Sequence, residues 1–346
     1  MPLMADRNRI PDHFAAKSGA SAVKILESFT APRRCIQIAL INNMPDAALE
    51  DTESQFFDLL ATAAGELPVH ISLYSLAEIP RGEKGRRHLS SFYRSLDDLW
   101  AQPVDAIIVT GTEPRQANLQ QEPYWQQLTE LFDWAEINTK SAVLSCLAAH
   151  AGVLYSDGID RHPMREKTCG VFEQSLWRPH ALTEKVAGPF CSPHSRWNEV
   201  REDELTACGY SILTKSEHAG VDMFVKKKRR SLFVHFQGHP EYGARTLLKE
   251  YRRDVGRFLR EERDFYPAMP SGYFDGPALT ILSEFRERAL RNRQEDLVKE
   301  FPEQTLGGRL HNRWRRSAIG IYANWFRYLV QRTAEAKGLA VTAALG

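Results

Sequence analysis

The sequence predicts an α/β protein with a mostly parallel sheet, helices on both faces and a helical cover near the C-terminus. Three observations predict this class. Short β-rich runs alternate with longer segments of helical periodicity in the first half, a rhythm typical of βαβ units. Closely spaced strands in the second half indicate an antiparallel extension. The composition, with 43% hydrophobic and 26% charged residues over 346 positions, is that of a globular protein.

The first half of the chain alternates between predicted strands and helices. The apolar run over 35–41 predicts a buried strand, and apolar residues at helical spacing predict a helix that stops at Gly65. The same criteria predict a strand over 69–76, a helix over 88–100, a strand over 105–111, a helix over 124–139 and a strand over 141–146.

The second half has a different pattern. Strands are predicted over 210–216, 221–227 and 231–238, and helices over 244–262, 281–301 and 313–336. The basic run over 226–230 falls between two strands, and we interpret it as a solvated hairpin. We divide the chain into an N-terminal arm (1–34), an α/β catalytic domain (35–265) and a C-terminal loop with helices packed on the same domain (266–346).

Charge and cysteine content argue against several classes of protein. The 45 basic and 44 acidic residues leave a net charge of +1, which gives no field to attract nucleic acid or an anionic membrane. No apolar run approaches the roughly 20 residues of a membrane span. The five cysteines are widely spaced without a C-x-x-C pair, so we expect free thiols, a cytoplasmic location and no metal site.

Cys146 ends the apolar run of "SAVLSCLAAHAGVLY", where a helix-like segment begins. A cysteine on such a strand-to-helix turn lies at a helix N-terminus, whose positive end favours the thiolate. The backbone N–H of Leu147 would be placed to hold an oxyanion. The alternative is a small residue packed in the core, which is common for a lone cysteine.

His239 and Glu241 lie in "GHPEY", directly after another predicted strand. A nucleophilic cysteine needs an imidazole base and a third group that orients the imidazole. In an extended segment the two side chains would lie on the same face. The alternative is an ordinary turn, and the residues alone leave both interpretations open.

Several motifs run in order along the chain: "INNMPD", "TESQFFDLL", "HLSSFY", "IIVTG", "YWQQL", "LSCLAAHA", "EKTCGVFE", "PHSR", "GHPEY", "EYRRD" and "NWFRYLV". Over about 36–328 their order and spacing resemble the homoserine O-acyltransferase family of methionine biosynthesis. The resemblance is to the branch built on a flavodoxin-like, class I glutamine-amidotransferase-like fold.

The resemblance implies a two-step acyl transfer. Cys146 would carry the acyl group as a thioester, His239 would activate first the thiol and then the hydroxyl of L-homoserine, and Glu241 would orient His239. The donor would be succinyl-CoA or acetyl-CoA as a co-substrate, with no resident cofactor. The small molecules would be the partners, and a homodimer is left open.

The resemblance also assigns substrate-binding positions. Arg253 would grip the homoserine carboxylate with two bonds, and Ser195 and Lys167 match the other substrate-contacting positions. Without the resemblance, Arg253 and Lys167 would be interpreted as ordinary surface ion pairs.

The chain departs from the family pattern at several places. His150 stands where the family has glutamine, and we expect it to pack or to line the pocket. In "TGTEPRQ", Thr112 and Arg115 join Leu147 as candidates for the oxyanion and acyl-specificity site. Arg115 could pair with the distal carboxylate of a succinyl group, which favours succinyl-CoA. Alternatively it points to solvent or to a CoA phosphate.

These departures keep other functions open. The acceptor could be another amino acid such as serine, or the protein could be a glutamine-amidotransferase-like hydrolase. A non-enzymatic scaffold is a third alternative, against which the Cys146, His239 and Glu241 set argues. The segment 275–310 is longer than the family leads us to expect, and the sequence gives it no role.

Overall fold

The computed structural model describes residues 3–6, 23–26, 35–186, 188 and 190–336. The rest of the predicted N-terminal arm therefore lies outside the described residues. The strands of the described part are β1 (Leu3–Asp6), β2 (Val23–Leu26), β3 (Ile36–Ile41), β4 (Val69–Tyr74), β5 (Ala106–Val109), β6 (Ser141–Ser145), β7 (His162–Glu173), β8 (Ser175–Leu176), β9 (Cys191–Glu199), β10 (Ser211–Ser216), β11 (Gly220–Lys228) and β12 (Ser231–Phe236).

Ten α-helices fall in the same described ranges. They are α1 (Asp46–Ala64), α2 (Glu83–Phe92), α3 (Leu96–Ala101), α4 (Trp125–Asn138), α5 (Leu147–Asp157), α6 (Glu202–Ala207), α7 (Thr246–Leu259), α8 (Gly276–Arg291), α9 (Glu303–Gly307) and α10 (Arg315–Ala336). None of these helices combines the length and apolar content that a membrane span requires.

The main sheet has the strand order β2-β1-β4-β3-β5-β6-β12-β11-β10-β8. Neighbouring strands from β2 to β12 pair in parallel. The strands from β12 to β8 pair antiparallel. The predicted α/β class, a mostly parallel sheet with an antiparallel extension, is confirmed. The carboxyl ends of β6 and β12 lie side by side, which brings Cys146 next to the segment after Phe236.

Helices cover both faces of this sheet, as predicted. Successive side chains of a strand point to opposite faces, so Ile36, Ile38 and Leu40 belong to one core cluster, which includes residues of α1 and α10. Ala39 and Ile41 belong to the other, with residues of α4 and α5. The C-terminal helix α10 is thus part of the main core.

Two predicted helices are wrong in their bounds. The one over 88–100 is broken: α2 ends at Phe92, Arg94 pairs with the end of β4, and Ser95 begins α3 with a reciprocal capping box. The one over 281–301 begins earlier, at the cap Asp275, and gives way to a 3₁₀ turn over Glu295–Glu300. Local capping residues outweigh apolar periodicity at both places.

The antiparallel pair β7 and β9 was not predicted from the sequence. β7 carries many charged side chains and lacks a clean alternation of apolar and polar residues. Its pairing with β9 is interrupted between Pro163 and Thr168. This pair contributes Lys167 and Ser195 to the site described next. The basic run over 226–230 spans the turn between β11 and β12, so the predicted hairpin is confirmed.

Candidate active site

Cys146 occupies a sharp turn between β6 and α5. Its backbone has φ 51° and ψ −108°, in a region that a non-glycine residue rarely adopts. The turn is fixed at both ends, because the N–H of Cys146 donates to the carbonyl of Phe236 at 2.7 Å and its carbonyl accepts from His150 N–H at 3.2 Å. The backbone of Cys146 is therefore held at the N-terminal end of α5.

His239 and Glu241 follow β12 and are both buried. His239 Nδ1 lies 2.9 Å from Glu241 Oε1, and Ser145 Oγ donates to the same carboxylate oxygen at 3.4 Å. The predicted Cys146, His239 and Glu241 set is thus brought together. The extended geometry expected for the pair is wrong, since a turn closed by Tyr242 N–H and the His239 carbonyl at 3.1 Å joins the two side chains.

The pKa of His239 is raised well above its usual value. Burial alone would lower it, but the charges of Cys146 and Glu241, together with side-chain hydrogen bonds to both, outweigh burial. Because Glu241 holds Nδ1, Nε2 is the nitrogen left for Cys146. The site therefore favours a charged imidazole at His239, oriented by the Glu241 carboxylate and next to Cys146.

The loop after β5 packs closely against the turn that carries Cys146. A Cβ added at Gly111 would lie 3.1 Å from the backbone nitrogen of Leu147, so only glycine fits without a shift. The N–H of Leu147 is thus near the loop that follows β5, where an oxyanion could be held. Thr112, the next residue of that loop, is half-buried.

The three predicted substrate-binding residues meet at two carboxylates of α7. Lys167 Nζ lies 2.8 Å from Asp254 Oδ2 and 3.9 Å from Glu250 Oε2. Arg253 donates to Asp254 Oδ1 at 3.0 Å, and Ser195 Oγ donates to Glu250. Burial would raise the pKa of Asp254, but the charges of Lys167 and Arg253 lower it. The site is a compact group of fixed opposite charges.

Tyr242 connects this charged group to the triad of Cys146, His239 and Glu241. Its ring stacks on His239 with centroids 4.1 Å apart, and its hydroxyl donates to Glu250 Oε1 at 2.7 Å. The neighbouring motifs "GHPEY" and "EYRRD" are therefore joined by direct contacts of Tyr242.

Arg115 is exposed, on the loop after β5. Its backbone N–H and that of Gln116 both donate to Glu122 Oε1, at 2.5 and 2.6 Å, so the loop has a fixed shape. Within the described ranges, no ion pair forms at the Arg115 guanidinium. Glu113 on the same loop pairs with Arg257 of α7 at 2.9 Å, which links the loop to the charged group.

Sequence reasoning missed four residues of the site. Glu250 and Asp254 share a face of α7 because they are four positions apart, and "EYRRD" contained that signal. Arg161 and Arg196 have charges that interact favourably with Cys146. Arg196 is the last residue of the motif "PHSR", but only the fold shows that it and Arg161 lie near Cys146.

His150 packs in the core and does not line the site. It is 3% exposed and its Nε2 lies 2.9 Å from Gln237 Oε1. Burial lowers its pKa to about 3, against the effect of that hydrogen bond, so the ring is neutral at neutral pH. Among the described residues, no group of histidine, cysteine, aspartate and glutamate side chains could hold a metal ion.

The chain is similar to several known proteins. Among solved structures, a glutamine amidotransferase of Thermotoga maritima aligns with a TM-score of 0.46 at 10% identity, over 85% of this chain and 98% of that chain. A homoserine O-succinyltransferase of Rhodopseudomonas palustris is 43% identical over 86% of this chain and 89% of that protein. One from Methylococcus capsulatus is 36% identical over 96% of this chain and 94% of that protein. The family model for homoserine O-succinyltransferase matches residues 9–336. The chain therefore belongs to the homoserine O-succinyltransferase family.

Proposed function

We propose that this protein transfers the succinyl group of succinyl-CoA to the hydroxyl of L-homoserine, the first step from homoserine toward methionine, through a thioester on Cys146. Family membership supports the overall reaction. The observation that carries the covalent route is the hydrogen-bonded series from Cys146 to His239 to Glu241. Such a series is the arrangement that activates a cysteine nucleophile.

In the first half-reaction, the thiolate of Cys146 attacks the thioester carbonyl of the donor. The oxyanion that forms would be stabilised by the N–H of Leu147 at the start of α5. The C–S bond to CoA then breaks. His239, holding the proton from the cysteine thiol, donates it to the departing CoA sulfur, and the acyl group remains on Cys146.

In the second half-reaction, the homoserine hydroxyl attacks the Cys146 thioester. His239 accepts the hydroxyl proton, the O-succinyl ester forms, and the proton passes to the Cys146 sulfur as its bond to the acyl carbon breaks. Glu241 stabilises the imidazolium that appears in each half-reaction.

The charged group on α7 suits a zwitterionic acceptor. We assign the homoserine carboxylate to Arg253 and Lys167, and the ammonium group to Glu250 and Asp254. Ser195 would contact the same substrate from β9. Each substrate charge would replace part of an existing ion pair, so binding need not leave a partly buried charge without a partner.

The distal carboxylate of a succinyl group would be stabilised by a cation near the Cys146 thioester. Arg115 supports a succinyl donor because it is exposed on a loop of fixed shape beside the cysteine turn. Arg161 adds a second positive charge that interacts with Cys146, and it donates to the carbonyls of Gln116 and Ala117 at 3.2 and 2.9 Å. Both arginines would favour succinyl over acetyl.

A matrix of donors and acceptors tests this function. Initial rates with succinyl-CoA or acetyl-CoA, against homoserine, serine or glutamine, should be highest for succinyl-CoA with homoserine. Intact-protein mass spectrometry without acceptor should show one succinyl adduct, lost in Cys146→Ala and retained in Cys208→Ala, the matched control. A higher kcat/KM with serine, hydrolysis of glutamine, or no adduct on folded protein would reject the proposal.

A further inference from the structure

A buried polar chain runs behind the turn that carries His239. Arg196 Nε donates to His194 Nδ1 at 3.3 Å, and His194 Nε2 lies 3.5 Å from Asp222 Oδ1. The same Asp222 oxygen accepts the backbone N–H of Gly238 at 2.8 Å. The exposed fractions of Arg196, His194 and Asp222 are 4%, 0% and 1%. None of the three has a role in the proposed mechanism.

The protonation of this chain follows from its contacts. Burial and the charges of Arg196 and His239 lower the pKa of His194 well below its usual value, so its ring is neutral. Its Nδ1 accepts from Arg196, and its Nε2 lies 3.4 Å from Gln174 Nε2 and 3.5 Å from Asp222 Oδ1. Asp222 Oδ1 thus contacts both the neutral His194 ring and the peptide N–H of Gly238, which donates to it.

Asp222 reaches the backbone directly before His239. The N–H of Gly238 binds Asp222, and the N–H of His239 donates to the carbonyl of Pro193 at 2.8 Å. A Cβ at Gly238 would lie 2.6 Å from Asp222 Oδ1 and 2.4 Å from Ser192 Oγ. Only glycine allows this approach, so the turn is fitted closely to the carboxylate.

Asp222 is an unfavourable residue for its position. It lies within β11, where aspartate is disfavoured, and its carboxylate is fully enclosed. Burial raises its pKa to about 6, although Gly238, Arg196 and His239 all favour the charged form. A buried carboxylate that local stability does not favour is typical of a functional position.

We propose that Asp222 is a positioning residue: it fixes the peptide before His239, and its charge favours the imidazolium that both half-reactions require. This proposal rests on the proposed function for its catalytic consequence. The titratable groups that face Asp222 are His194 and Arg196 from β9 and His239 from the turn after β12.

Asp222→Asn tests the proposal because it keeps an oxygen to accept from Gly238 but removes the charge. In an NMR titration of the His239 ring, we expect the pKa to fall by about one unit, the size expected for losing one nearby buried charge. The alkaline limb of Cys146 acylation should move to lower pH by a similar amount.

Thermal stability separates positioning from a structural role. The folded-state pKa of Asp222, about 6, lies above the ordinary value of 3.8, so its ionisation weakens the fold as pH rises through 6. Asp222→Asn should therefore keep or raise the Tm at pH 7.5. Asp157→Asn is the control: Asp157 accepts from Tyr210 at 2.7 Å and pairs with Lys226, so its loss should lower the Tm without moving the His239 titration.

The NMR titration needs no substrate, so it remains decisive even if the proposed reaction fails. An unchanged His239 pKa in Asp222→Asn would overturn the proposal. A lowered Tm together with an unshifted pH profile of Cys146 acylation would overturn it as well. Asp222→Ser, which offers a hydroxyl without charge, is the second variant should the first not fold, and the same outcomes apply to it.

Discussion

Glu241→Gln isolates the charge that orients and stabilises His239. Glu241 Oε1 lies 2.9 Å from His239 Nδ1, and both side chains are buried. Two unit charges about 4 Å apart attract by about 4 kcal/mol at an effective dielectric constant near 20. At 1.36 kcal/mol per pKa unit, losing this attraction lowers the pKa of His239 by up to about three units.

The expected kinetic consequence is large. Glutamine keeps the size of the side chain but offers either an oxygen or an NH₂ group to Nδ1, and the NH₂ group would select the wrong tautomer of His239. We expect the rate of Cys146 acylation at neutral pH to fall by about 10²- to 10³-fold, since each unit of lost stabilisation is a factor of ten.

Single-turnover acylation followed by quenched mass spectrometry measures this effect across pH. Glu204→Gln is the matched control, because Glu204 Oε2 lies 2.8 Å from His162 Nε2 in a partly exposed pair, where charge attraction is worth little. The control should stay within about twofold of the wild-type rate. An acylation rate for Glu241→Gln within threefold of wild type, with an unshifted pH profile, would refute the reasoning.

Two further predictions concern the acceptor and acid stability. Asp254→Asn should raise the KM for homoserine about tenfold and leave the donor KM within about twofold, because Asp254 holds Lys167 and Arg253. The control is Asp51→Asn, which breaks a surface pair with Lys249 of α7. An unchanged homoserine KM in Asp254→Asn would contradict the assignment. The pKa of His150 is about 3 in the fold, against about 6.5 unfolded, so the free energy of unfolding should fall as pH drops from 6.5 to 3, by up to about 5 kcal/mol from this group. His150→Gln should flatten that decline in denaturant titrations at pH 7 and 4, and an equally steep decline would argue against a buried neutral ring.

Local chemistry in the sequence was enough to predict much of the fold. Buried strands such as β3 and β6 are continuous apolar runs, and each is followed by a segment of helical period, so their type and order follow from neighbouring residues. The same reasoning located Cys146, His239 and Glu241 at strand ends. It failed for α2 and α3, where Ser95 and its capping box divide a periodic segment, and for β7, whose charged side chains serve the site and hide its alternation.

Contacts between distant segments required the tertiary structure. Ser145 and Glu241 are 96 residues apart in sequence, and they meet because β6 and β12 are parallel neighbours with their carboxyl ends aligned. Arg196 of β9 and Asp222 of β11 also lie near the triad, where the charge of Arg196 interacts with Cys146 and Asp222 binds the peptide N–H of Gly238.

By itself, the sequence determined which residues can carry chemistry and which elements hold them, because those properties depend on residue type and near neighbours. The strand order decided which of them meet. Burial in the resulting core then set their charge states, making His150 a neutral packed ring and His239 a group that favours its charged form.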